Sequence, residues 1–201
     1  MTLAYPVGDK LYLNLTNKCP CACIFCIRNN GDSAYGSQPL WLEHEPSLAE
    51  ITDAIKNADP SKYTEIVFCG YGEPTESIEL LCSTADFLKE NYPNIPIRLN
   101  TNGLSDLING RPTAYLLKER IDTVSVSLNA ATKDEYLRVT RPKFGECSFE
   151  EMQKFASECK QYVDKVMFTI VDILPQEQIE MSKKLAEKLG IGLRIREYIE
   201  E

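Results

Sequence analysis

Lys10-Leu11-Tyr12-Leu13-Asn14-Leu15-Thr16-Asn17-Lys18-Cys19-Pro20-Cys21-Ala22-Cys23-Ile24-Phe25-Cys26 opens as a Leu-rich strand candidate and turns into a loop carrying four thiols. Working outward, the same strand character returns at Thr64–Cys69, Ile95–Asn100, Thr123–Leu128, Lys165–Asp172 and Gly192–Arg196, each short and rich in Val, Ile, Leu or Phe. Helical periodicity fills the intervals. Leu48, Ile51 and Ile55 share one face, and Ile78, Leu81, Ala85 and Leu88 share another. Met152, Phe155, Ala156, Cys159 and Val163 form a third stripe, opened by Ser148 and Glu151 as a capping box. A last helix runs from near Pro175 to just before Gly190. About six strands alternating with helices make an α/β fold. Right-handed crossovers allow either an open doubly wound sheet or a partial barrel, and periodicity does not choose. In both, loops at the carboxyl ends of the strands converge on one face, where ligands bind.

The chain has 201 residues, which suits a single domain spanning 1–201. It has 22 basic against 30 acidic residues, a net charge of −8, which argues against a broad phosphate-binding surface and so against a nucleic-acid partner. No apolar run reaches the roughly 18 residues of a membrane span, so no membrane partner is expected. The first residues, Met1-Thr2-Leu3-Ala4-Tyr5-Pro6, show neither a basic leader nor a cleavage site, which places the protein in the cytoplasm. There are eight cysteines, four of them between 19 and 26. In a reducing compartment such a cluster points to a metal, not to disulfides.

Cys19, Cys23 and Cys26 have the spacing C-x3-C-x2-C, which lets three thiolates of one loop converge on one cubane. Soft thiolates suit iron–sulfur clusters and zinc. Three ligands leave one iron of a [4Fe–4S] cluster open to a small molecule. Cys21 keeps a second reading alive, because four thiolates are a usual structural zinc site; the chain would then be a zinc-stabilised α/β binding module.

These residues resemble the radical S-adenosylmethionine (radical SAM) superfamily, whose signature is a C-x3-C-x2-C loop after the first strand of a partial (β/α)6, TIM-like barrel. The resemblance covers nearly the whole chain and implies a [4Fe–4S] cluster on Cys19, Cys23 and Cys26. It also implies S-adenosylmethionine as the second cofactor, with Phe25 against the adenine. Cys69-Gly70-Tyr71-Gly72-Glu73-Pro74 is similar to the family's Gly-Gly-Glu-Pro element, with Tyr71 splitting the glycines. The resemblance gives Gly70, Gly72 and Glu73 to the amino group of the methionine moiety. Physically, glycines let backbone carbonyls approach a cation and the carboxylate adds opposite charge. Asn100-Thr101-Asn102-Gly103 and Ser125-Val126-Ser127-Leu128-Asn129 resemble segments that contact ribose and carboxylate, which selects Asn100, Asn102 and Ser127. In the loop Arg138-Val139-Thr140-Arg141-Pro142, one arginine is a candidate for pairing with a carboxylate.

Other residues read as structure. Cys82 and Cys159 lie on apolar helix faces, and Cys147 lies just before a helix. Cys69 is placed to reach the pocket. The single histidine, His44, reads as surface or loop, against a His-based metal site or a Cys–His nucleophile. There is no Walker-type loop. What the resemblance implies is an enzyme of oxidoreductase or lyase type, in which the reduced cluster passes an electron to S-adenosylmethionine. A 5′-deoxyadenosyl radical then abstracts hydrogen from a substrate the residues do not identify. It implies as partners an electron donor such as flavodoxin or ferredoxin and the substrate, with a homodimer as one way to cap a wide lateral opening. No further cysteine group follows, so no auxiliary-cluster domain is expected. Arg141-Pro142-Lys143-Phe144-Gly145-Glu146 looks most like the small TatD-associated radical proteins. Activating enzymes of glycyl radical proteins and small deazaguanine-type synthases are similar in size.

Overall fold

The computed structural model describes residues 1–197. Seven strands form one sheet: β1 (Ala4–Val7), β2 (Lys10–Leu13), β3 (Glu65–Phe68), β4 (Ile97–Thr101), β5 (Thr123–Ser127), β6 (Lys165–Val171) and β7 (Gly192–Arg196). They lie side by side in sequence order, with β1 antiparallel to β2 and every later pair parallel. A doubly wound sheet would reverse its strand order at some point. This one never does, so each crossover adds its strand on the same side and the sheet curls into a partial barrel. β1 and β7 do not pair, and the barrel stays open.

All six expected strands are present, with every end within three residues of the expected limit. β1 is additional. It pairs Val7 with Lys10 through a two-residue turn, Gly8-Asp9, in which Gly8 has φ +58°. A left-handed first turn residue suits the twist of a hairpin. Pro6 is tolerated because β1 is an edge strand.

Helices α1 (Leu48–Ala58), α2 (Ile78–Asn91), α3 (Ser105–Asn109), α4 (Lys133–Thr140), α5 (Ser148–Cys159) and α6 (Gln176–Leu189) join the parallel strands. The strands present one residue in two to them: Leu11, Leu13, Ile66, Phe68, Leu99, Val124, Val126, Phe168 and Ile170 are buried against the helices. Full burial of each such side chain stabilises by about 1.5–3 kcal/mol. The alternate residues, among them Tyr12, Arg98, Asn100, Ser125, Ser127, Thr169, Arg194 and Arg196, line the inside of the barrel. That inner face is polar.

Local signals succeed or fail on backbone grounds. The capping box forms at Ser47–Glu50, where the Glu50 N–H donates to the Ser47 hydroxyl at 3.3 Å and the Ser47 N–H donates to the Glu50 carboxylate at 2.8 Å. The box expected at Ser148–Glu151 does not form. The cap position of α5 is Cys147, whose backbone is already helical (φ −70°, ψ −14°), whereas Ser47 is extended (φ −80°, ψ 162°) as a cap requires. Val163 lies beyond the end of α5 but still packs on the core. Arg138 belongs to α4, not to a loop, and Arg141 ends that helix in the left-handed region (φ +47°). α6 starts after Pro175 and stops at Gly190 (φ +61°), as expected. No helix among the described residues is long and apolar enough to cross a membrane.

Candidate functional site

The cysteine loop is held from two sides by backbone hydrogen bonds. On one side the Glu73 N–H donates to the Lys18 carbonyl at 2.8 Å. On the other, Ala22 and Ile24 donate to the carbonyls of Thr140 and Val139 at 3.0 and 2.9 Å, and Lys143 donates to that of Pro20 at 2.8 Å. The thiols therefore sit between the β3 turn and the carboxyl end of α4. Cys19, Cys21, Cys23 and Cys26 line one cavity of about 230 Å³, together with Phe25, Gly70, Gly72, Glu73, Asn100, Asn102 and Ser127. The three cysteine ligands and the seven cofactor-contact residues expected from the sequence all line this cavity.

The four thiols differ. Cys19, Cys23 and Cys26 are half-buried, while Cys21 is 8% exposed and part of the apolar core. Hydrogen bonding to Cys21 holds the Cys19 and Cys23 thiols below their usual range, against the opposing effect of burial. Cys21 is pushed up by its bonds to both neighbours and by burial. Burial also raises Cys26. Among the described residues no three His, Cys, Asp or Glu side chains are grouped to hold one metal ion. A tetrahedral zinc site needs all its sulfurs about 2.3 Å from one point, whereas a cubane spreads its ligands over separate irons.

The surroundings suit a sulfur-ligated group. The Tyr136 hydroxyl is fully buried without a hydrogen-bond partner among the described residues, in a position where charge on Cys21, Cys23 or Cys19 acts on it. The nearby Thr140 hydroxyl donates instead to the Tyr136 carbonyl at 2.7 Å. A buried O–H with nothing to donate to is costly unless an acceptor arrives, and cluster sulfides or thiolates are acceptors. The Asn102 amide nitrogen stands 3.8 Å from Cys21 Sγ and 4.0 Å from Cys19 Sγ.

Glu73 lines the cavity, where the resemblance expects it. Its carboxylate is buried and accepts from the Thr75 N–H (3.2 Å), the Thr75 hydroxyl (2.8 Å), the Thr101 hydroxyl (2.7 Å) and the Asn102 N–H (2.7 Å). Burial still raises its pKa. The side chain locks the end of β3 to the end of β4, and it is the backbone of the Gly70–Glu73 turn that remains to face a ligand. The glycines are needed for packing. A Cβ on Gly72 would run into the Thr16 and Lys18 carbonyls, and one on Gly70 into the Asn14 side chain. Tyr71, the residue splitting them, is buried, donates to the Gly31 carbonyl at 2.8 Å and meets Trp41 edge-on.

Arg138 and Arg141 line neither cavity. Arg138 pairs with Glu135 at 2.6 Å on the surface. Cys69, as expected, lines the cavity, with its thiol raised by burial and lowered in part by a bond to Asn100. His44 is exposed and bonds Glu50 at 2.8 Å. Sequence reasoning missed Asn129, Tyr35 and Arg196, which also line the site. Asn129, left-handed at φ +61°, carried a readable signal as an Asn just past a strand.

A family model described as the Radical SAM superfamily matches residues 13–189. GTP 3′,8-cyclase of Rhodococcus opacus is 28% identical over 137 residues, which are 67% of this chain and 36% of that enzyme. Among solved structures, SuiB of Streptococcus suis bound to S-adenosylmethionine superposes with a TM-score of 0.71 at 16% identity, over 96% of this chain and 41% of SuiB. Methylornithine synthase superposes with a TM-score of 0.68 at 16% identity, over 94% of this chain and 53% of that one. The two structural likenesses show the fold. The chain spans well under two thirds of the length of each of these relatives.

Proposed function

The chain belongs to the radical SAM superfamily, and from that premise we propose that Cys19, Cys23 and Cys26 hold a [4Fe–4S] cluster beside bound S-adenosylmethionine for hydrogen abstraction from a substrate. The family's cofactors are that cluster and S-adenosylmethionine. When bound and reduced, they supply a 5′-deoxyadenosyl radical.

The observation that carries the reading is the meeting of three half-buried thiols, the Gly70–Glu73 turn and the ends of β4 and β5 around one cavity. Cys21 is left out of the ligand set because it is buried in the apolar core and falls outside the C-x3-C-x2-C spacing of Cys19, Cys23 and Cys26. Phe25 covers the cavity from water and offers a flat apolar surface for a purine. Within the Gly70–Glu73 turn the Tyr71 carbonyl accepts from Arg28 at 3.2 Å and the Glu73 carbonyl from the Glu76 N–H at 3.0 Å, so the Gly70 and Gly72 carbonyls are the proposed acceptors for an ammonium group. Asn100, Asn102 and Ser127 offer amide and hydroxyl groups to ribose and carboxylate. A flavodoxin- or ferredoxin-like donor is the proposed electron source. The segment from Arg141 to Glu146 braces the cysteine loop, the Lys143 N–H donating to the Pro20 carbonyl, and its sequence is what supports placing the chain near the TatD-associated group.

Anaerobic reconstitution with iron and sulfide tests the ligand set. Wild type and Cys21→Ala are expected to become brown with matching iron and sulfide content, while Cys19→Ala, Cys23→Ala and Cys26→Ala lose most of it. A colourless wild type holding one zinc, released by Cys21→Ala, overturns the proposal in favour of the binding module. Incubation with dithionite and S-adenosylmethionine is expected to yield 5′-deoxyadenosine, and none at all from a brown protein would overturn the enzymatic reading.

A further inference from the structure

A second cavity, about 520 Å³, fills the inside of the barrel and shares Tyr35, Cys69, Asn100, Ser127, Arg196 and Glu197 with the first. The two are therefore contiguous, and a molecule in the second lies directly beside the site proposed for the cofactor. Its wall is a polar ladder across neighbouring strands. Asn100 pairs in register with Ser125, and Thr169 stands between Ser127 on one side and Arg194 on the other.

Three arginines line this space, and their surroundings sort them. Arg98 is neutralised: its Nε and Nη2 lie 3.1 and 3.0 Å from Glu65 Oε2, and its Nη1 donates to Asn100 Oδ1 at 3.0 Å. Arg194 and Arg196, two residues apart on β7 and so on one face of it, make no ion pair or side-chain hydrogen bond among the described residues. Among the described residues Glu197 is the one carboxylate on the wall of this cavity. The chain as a whole is acidic. Two adjacent guanidinium groups without acceptors, at the mouth of a cavity rich in hydroxyl and amide groups, match the fork geometry of a carboxylate or phosphate.

Building on the radical SAM reading, we propose that the substrate is a small anion whose carboxylate or phosphate is held by Arg194 and Arg196, with the rest of it lying along Asn100, Ser125, Ser127 and Thr169 toward Cys69. Arg194 is the more telling of the two, because it lines only the inner cavity, whereas Arg196 stands where the two cavities meet.

Calorimetric titration of the reconstituted protein with inorganic phosphate and with succinate, each with and without saturating S-adenosylmethionine, tests this. At least one anion is expected to saturate in the millimolar range and to bind about tenfold more weakly to Arg194→Gln and Arg196→Gln. Which anion binds tells the two chemistries apart. Both variants should keep wild-type circular dichroism and iron content, since both side chains are exposed. Binding that S-adenosylmethionine abolishes would assign the arginines to the cofactor's own carboxylate and overturn the proposal, as would saturation by neither anion or equal binding by the variants. Iron content and 5′-deoxyadenosine formation, read on the same samples, report separately on the parent reading: a brown, active protein that binds neither anion refutes the anion site alone.

Discussion

The Asn102 backbone N–H donates to the buried Glu73 carboxylate at 2.7 Å, joining the turn after β3 to the end of β4. One side chain thereby sets the position of the Asn102 amide, which stands over Cys19 and Cys21. Glu73→Gln replaces an acceptor facing four donors with a group that presents donors of its own. The expected cost is about 2–3 kcal/mol of stability, measured by urea unfolding, together with weaker S-adenosylmethionine binding. Undiminished stability would mean that the four bonds are not made.

Gly72→Ala is expected to be more damaging than an alanine in an ordinary strand-to-helix turn. The added Cβ meets the Thr16 carbonyl and lies 2.6 Å from that of Lys18, and neither is a flexible side chain that could swing away. Relief requires the segment leading into Cys19 to move. A loss of about 3 kcal/mol is expected, with reduced iron uptake on reconstitution. A variant with wild-type iron content and stability would show that the turn does not brace the cysteine loop.

The parts of the site readable in the sequence are those written as contiguous motifs. The cysteine spacing, the glycine turn and the Asn100–Asn102 strand end each occupy a few neighbouring residues, so their grouping needs only an α/β chain that brings strand ends together. What was not legible depends on pairing between distant segments. The hydrogen-bond load on Glu73 requires knowing that Thr101 and Asn102 lie beside it. The place of Arg194 and Arg196 on the cavity wall requires knowing the register of β7 on β6, which sets Arg194 opposite Thr169. Arg138 read as loop because Pro142 follows closely, yet three residues separate them and α4, Lys133–Thr140, ends within that space. β1 was missed because Pro6 demotes a strand pattern, although Gly8-Asp9 was a hairpin signal.

The cap of α1 supplies a pH test. Hydrogen bonds from the Ser47 backbone and then its hydroxyl, with His44 third, hold the Glu50 carboxyl at about 2 against an ordinary 4.5. A carboxyl depressed on folding contributes stability that is complete above the unfolded value and lost as pH falls through the folded one. The difference in urea midpoint between wild type and Glu50→Gln should therefore be largest near neutral pH and shrink between pH 4.5 and about 2. A difference that stays constant over that window would show that the capping box does not depend on the charge.

The inner face of the barrel carries one ion pair whose removal should be asymmetric. Glu65 Oε2 stands 3.1 Å from Lys10 Nζ and 3.0 Å from Arg98 Nη2, with the Arg98 side chain only 7% exposed and that of Lys10 32% exposed. Without Glu65, Lys10 can turn to water. Arg98 cannot, and would keep its bond to Asn100 Oδ1 and its contact with the Tyr12 hydroxyl, neither of which carries the opposite charge. Breaking a buried pair from one side leaves an uncompensated charge and costs about 3–5 kcal/mol, whereas replacing both partners with apolar residues of similar size is often close to neutral. Glu65→Ala is therefore expected to lose about 3 kcal/mol, and the double replacement Glu65→Leu, Arg98→Met much less than the single one. A urea double-mutant cycle reads the difference. Additive losses would show that the two side chains are not coupled. The double variant should also bind S-adenosylmethionine more weakly even if it is stable, because Asn100 would lose the guanidinium that orients its amide. That separates the pair's part in stability from its part in shaping the site.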